Sequence, residues 1–171
     1  MRGVVVYMRG LALFVAGIVV GTFLMQPSAA QESRDTGFRL NHIGIAVRDE
    51  NFEKTLNFYT KVMGFRLAWQ AKFDTAPGQQ TYLQINRDTF LEMGTARGNQ
   101  PEGITHFGIV TPDVKATVAR LRQGGATVQD VRLSGPTKAL LSGIDDPNGI
   151  HIELLELTPE SLHKKAEEAW K

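Results

Sequence analysis

The chain has no cysteine among its 171 residues, which excludes disulfides, thiolate metal sites, cysteine nucleophiles and a lipid-modified cysteine anchor. It has little net charge, +1 at pH 7, and no basic stretch large enough for a nucleic-acid footprint. It also lacks a long apolar run. The most hydrophobic stretch, residues 11–25, is short of the roughly 20 residues that span a bilayer. The rest, 42% hydrophobic and 22% charged, is ordinary for a globular protein, with room for one domain or two small modules sharing a core.

The small net charge hides a split. Residues 1–30 hold two of the 19 basic residues and no acid, leaving 17 basic against 18 acidic groups in the remainder. Arg2 and Arg9 before the apolar run, with Ser28 and Ala30 after it, form the pattern of a secretory signal peptide cleaved near Ala30. The expected location is periplasmic or extracellular, with an uncleaved membrane anchor as the alternative. Residues 31–37 read as a polar tether.

The folded part repeats itself. LNHIGIAVRD (40–49) and ITHFGIVTPD (104–113) align His42 with His106, Gly44 with Gly108 and Asp49 with Asp113. Each copy closes on a matching strand, TFLEMG with Glu92 and GIHIELLEL with Glu153. Alternation makes 39–47 a strand with His42, Gly44 and Ala46 on one face. Asp49 is expected to cap a helix over 51–63, with Phe52, Leu56, Tyr59 and Met63 on its apolar face and Gly64 as its stop. Phe65–Gln70, Thr81–Ile85 and Phe90–Met93 complete a β-α-β-β-β module, 38–98, with Pro77-Gly78 in a turn.

Residues 103–157 repeat that order. Asp113 caps a helix ending at Gly124-Gly125, Thr127–Arg132 is a short strand, and Lys138–Ile144 and Ile150–Leu157 pair across DDPNG. TPESLHKKAEEAWK (158–171) reads as a terminal helix with a Thr158 cap, docked through Leu162, Ala166 and Trp170, with His163 on the surface. Phe58, Tyr59, Phe65 and Trp69 read as core, with Trp69 or Tyr82 as alternatives for a pocket wall. The class is α+β.

His42, Glu92, His106 and Glu153 are the candidate metal ligands. Two imidazoles and two carboxylates suit one divalent ion of Zn, Ni, Co, Mn or Fe. Both Glu residues lie in apolar strand segments, where an acid is costly unless paired or metal-bound. The alternative is a set of satisfied, metal-free polar groups.

NHIGIAVRD, FYTKVMGF, THFGIVTPD and DDPNGIHIELLE together resemble the vicinal oxygen chelate superfamily, which includes glyoxalase I, methylmalonyl-CoA epimerase and extradiol dioxygenases. The resemblance implies two paired βαβββ modules forming an eight-stranded open cup around the metal, plus the C-terminal helix. It implies His42, Glu92, His106 and Glu153 as metal ligands. The expected activity is that of a metal-dependent lyase or isomerase that chelates vicinal oxygens of a small oxygenated molecule and moves a proton. Glu153 would be the general base, with Glu92 the symmetry-related second choice. His151 would stand behind the ligands or on the pocket wall. Alternatives are an Fe(II)-dependent dioxygenase and a non-catalytic binding protein. A homodimer, with the cup within one chain or between two, is also compatible with the family. Where glyoxalase I has an Arg and an Asn that hold glutathione, this chain has Ala46 and Ala96.

Overall fold

A computed structural model describes residues 36–72 and 79–171 of the chain. The expected signal segment 1–30, most of the tether and the Pro77-Gly78 turn lie outside the described residues. Among those described, no helix is long and apolar enough to cross a membrane.

The elements run β1 (Arg39–Val47), α1 (Asp49–Asn57), β2 (Arg66–Lys72), β3 (Gln79–Asn86), β4 (Thr89–Thr95), β5 (Gly103–Val110), α2 (Val114–Gln123), β6 (Arg132–Leu133), β7 (Leu140–Asp145), β8 (His151–Glu156) and α3 (Leu162–Glu168). The eight strands form one sheet in the order β2-β3-β4-β1-β5-β8-β7-β6. β1 pairs in parallel with β4, β5 in parallel with β8, and β1 with β5 antiparallel at the centre. The expected eight-stranded arrangement is therefore built from a single chain.

Alternation assigns the two faces. Val47, Ile45 and Met93 pack on Phe52 and Leu56 of α1, while Leu154, Ile109 and Ile152 pack on Val114 and Val118 of α2. The intervening residues, including the four candidate ligands, point to the opposite face. There Tyr82, Phe90 and Trp69 gather around Ala166 of α3.

Local details depart from expectation. Asp49 does not cap α1. Arg48 holds the N-cap position without a side-chain bond, and Glu102 of the segment before β5 accepts from its backbone N–H at 2.8 Å. The helix continues as a π turn over Phe58–Val62, closed by Met63 N–H donating to the Phe58 carbonyl. That wider turn rotates Phe58 and Met63 out of the core, and both are about half exposed. Asp113 does cap α2, accepting from Ala116 N–H at 2.8 Å. The strand expected over Thr127–Arg132 shrinks to Arg132–Leu133, because before Arg132 the hydrogen bonds to β7 among the described residues are confined to Gln129, whose N–H donates to the Gly143 carbonyl and whose carbonyl accepts from Ser142 Oγ. Ser161, not Thr158, caps α3, and Thr158 instead donates to the Lys138 carbonyl at 2.8 Å.

Candidate metal centre

The central strand pair explains the His-x-Gly repeat. In the antiparallel register His42 lies opposite Gly108 and His106 opposite Gly44. A Cβ at Gly44 would overlap the His106 ring, and one at Gly108 would overlap the His42 ring. Each module therefore leaves out a side chain to admit the other module's imidazole. β4 and β8, flanking this pair, bring Glu92 and Glu153 to the same face.

The four candidate ligands converge, with one ligating atom from each lying within 4.8 Å of the others. His42 Nε2 is 3.1 Å from His106 Nε2, 3.4 Å from Glu92 Oε2 and 3.6 Å from Glu153 Oε2, and His106 Nε2 is 3.5 Å from Glu92 Oε2. With metal–ligand bonds near 2.1 Å, neighbouring donors sit about 3.0 Å apart in an octahedron and about 3.4 Å apart in a tetrahedron. The spacing fits one divalent ion.

The surroundings orient the donors. His42 Nδ1 donates to Asn41 Oδ1 at 3.0 Å, which leaves the Nε2 lone pair facing the cluster. His106 Nδ1 pairs with Thr105 Oγ1 at 2.9 Å. Burial, aided by the neighbouring His106 and opposed by Glu92, lowers His42 to about 4, so its ring is neutral at neutral pH. His106, more accessible, is raised by Glu92 and Glu153 against a desolvation effect that lowers it.

The two carboxylates differ. Glu92 accepts from Tyr82 Oη at 2.6 Å on one oxygen and from Gln80 Nε2 on the other. Desolvation pushes Glu92 up, but His106, His42 and Tyr82 outweigh it and hold the carboxyl down to about 2. Burial and Glu92's charge push Tyr82 well up, so it stays a phenol donor. Glu153 is raised, first by burial and then by Glu92's charge. No hydrogen bond to its carboxylate occurs among the described residues.

His163 is a correction: it is fully buried, not on the surface. α3 lies on the ligand-bearing face, and the His163 ring stacks on His42 at 6.0 Å and meets Trp69, Tyr82 and Phe90 edge-on at 4.8 to 5.2 Å. Tyr82 lines the site, and Trp69 stacks behind it at 4.4 Å. His151 stands at an outer mouth of about 370 Å³, with His106, Glu92 and Ala46, and its Nδ1 is held by Asp145 at 2.6 Å. Sequence reasoning had no role for Asn41, Gln80 or Thr105. Asn and Thr directly before the two ligand His residues were the available signal.

Residues 39–154 match the Glyoxalase/Bleomycin resistance protein/Dioxygenase superfamily, and the chain belongs to this family. A probable chloroplastic lactoylglutathione lyase of Arabidopsis thaliana is 29% identical over 136 residues, covering 72% of this chain and 38% of the relative. A lactoylglutathione lyase of Pseudomonas putida is 29% identical over 153 residues, covering 71% of this chain and 87% of the relative. The chain thus spans well under half of the first relative's length and most of the second's. Methylmalonyl-CoA epimerase from Mycobacterium tuberculosis shares the fold, with a TM-score of 0.61 at 21% identity over 70% of this chain and 88% of that one.

Proposed function

We propose that this chain is a metal-dependent lyase or isomerase, of the glyoxalase or epimerase kind, that moves a proton on a small oxygenated molecule. His42, Glu92, His106 and Glu153 would hold the divalent ion, which when bound would supply Lewis acidity to two vicinal substrate oxygens. The observation that carries the reading is the inequality of the two carboxylates within an otherwise symmetric donor set.

Glu92 is clamped by Tyr82 and Gln80 and kept ionised, as suits a permanent ligand. Glu153 has no such clamp and a raised proton affinity, as suits a general base. Glu153 would take the proton from the hydroxyl-bearing carbon of the substrate and return it to the adjacent carbonyl carbon, while the hydroxyl proton moves to the carbonyl oxygen, so the isomerisation needs no oxidant or reductant. All four side chains come from one chain, so the donor set needs no partner subunit. Ala46 at the outer mouth and Ala96 beyond β4 offer no polar side chain for glutathione, which favours another substrate. Export through residues 1–30 belongs to the proposal and rests on their sequence.

Elemental analysis of the protein purified without chelator or histidine tag tests the reading. About one equivalent of Zn, Ni, Co or Mn is expected, falling in His106→Ala and Glu153→Ala variants whose circular dichroism is unchanged. Iron with oxygen-dependent turnover of a catechol would move the assignment to a dioxygenase. Unaltered metal content in both variants would refute the ligand set.

A further inference from the structure

Beside the four ligand side chains, on the α3 side, lies an inner pocket of about 160 Å³, separate from the outer mouth. Glu92, Glu153 and Tyr82 form its metal-side wall, and Arg132, Thr137 and His163 line it as well. Among the described residues, Thr137 Oγ1 and both ring nitrogens of His163 are buried without a hydrogen-bond partner. Buried polar atoms are nearly always paired, and the Thr137 hydroxyl and a His163 ring N–H are donors suited to a carboxylate oxygen in this pocket. Arg132 is exposed at the rim, makes no ion pair among the described residues, and its charge acts on Glu153.

We propose that this inner pocket binds the carboxylate end of a small substrate, with Arg132 as counter-ion and Thr137 and His163 as hydrogen-bond partners. The inference rests on the metal-enzyme reading and adds the substrate's chemical class: a short oxygenated acid. The charge follows from the residues. Arg132 is the pocket's unpaired cation, whereas both of its carboxylates belong to the donor set. His163 supplies a ring N–H as donor to the substrate's carboxylate. The size follows from the volume, since a cavity of about 150 Å³ holds a benzene-sized group of six non-hydrogen atoms. A bulky conjugate could not enter here. α3 sets that limit: its backbone is tied to the loop before β7 by Leu162 N–H donating to the Thr137 carbonyl at 2.9 Å.

Butyrate and its uncharged isostere butyramide, about six non-hydrogen atoms each, separate charge from shape. An NMR titration of the labelled full chain, with and without one equivalent of zinc, reads their affinities, and elemental analysis of the same samples reads metal content. The expected result is butyrate binding about tenfold or more tighter than butyramide, with shifts at Thr137 and His163. That preference should vanish in Arg132→Gln and weaken in Thr137→Val, as expected for losing a hydrogen bond to a charged group. Arg132 is exposed, so its variant keeps the fold. Equal affinities, no binding at millimolar ligand, or an unchanged preference in Arg132→Gln would overturn the pocket assignment even with metal at full stoichiometry. A preference that depends on Arg132 in protein that takes up no metal would support the pocket and refute the metal reading.

Discussion

Glu92 and Glu153 occupy equivalent strands in the two repeats, yet only Glu92 is fastened. The β3 strand beside it carries Tyr82 and Gln80, which occupy both of its oxygens. The β7 strand beside Glu153 carries Gly143 directly opposite, a residue with no side chain to offer. The same asymmetry extends outward. α3 covers the first repeat, where Ala166 packs on Phe90 and Tyr82 and Gln84 Nε2 donates to the Ala166 carbonyl at 3.1 Å, whereas the second ends in a two-residue edge strand. Repetition brings together a donor set with approximate symmetry. The neighbours of each copy then leave one carboxylate fixed and the other free.

Removing α3 breaks the comparison most severely. Truncation after Leu157 should uncover Phe90 and Tyr82 and destabilise the protein by at least about 3 kcal/mol, the lower end for re-exposing two buried rings. An unaltered melting temperature would show that the helix does not hold the first repeat's face together.

Acid should act next, through buried groups of the first repeat and of α3. His42, at about 4, and His163, at about 3, lie below the ordinary 6.5, and Glu92, at about 2, lies below 4.5. In all three the unfolded chain binds more protons than the folded one. Their stabilisation is complete above pH 6.5, fades toward pH 4 for His42 and still lower for His163, and fades from 4.5 toward 2 for Glu92. His106 and Glu153 are raised, so they act in the opposite direction, favouring the fold at lower pH. Urea melts of metal-free protein should lose on the order of 3 kcal/mol from His42 alone on full protonation. An NMR titration in which the His42 ring protonates near 6.5 would contradict its burial as a neutral ring.

Gly44→Ala and Gly108→Ala probe the symmetric half of the comparison. Each should cost about 1–3 kcal/mol from overpacking against an imidazole, and both should lower metal uptake. An effect at one glycine only would break the symmetry drawn from the register. The smallest expected effect sharpens the asymmetry. In metal-free protein, Glu92→Ala strands the Tyr82 hydroxyl and the Gln80 amide and should cost about 1–3 kcal/mol, while Glu153→Ala should stay within about 0.5 kcal/mol. Equal losses in chemical denaturation would remove the distinction between the clamped carboxylate and the free one.

The repeat, the eight strands and the convergence of His42, Glu92, His106 and Glu153 were legible because a strand has a period of two. His-x-Gly at matching places in two copies is a pattern that survives without knowing the partner strand. Asn41 was not legible: alternation points it away from its neighbour, and only the register shift between Leu40 and His42 accompanies its reach to the ring. His163 was misjudged for a related reason. A polar residue on a short amphipathic helix reads as solvated until the surface that covers it is known.

The sequence alone therefore determined the repeated strand order, the four candidate donor side chains and their common sheet face, because local periodicity and repetition encode those directly. Tertiary structure decided which carboxylate is clamped, how deeply His42 and His163 are buried, and how small the inner pocket is. Those properties depend on cross-strand neighbours and on where α3 docks, contacts between residues far apart in the chain.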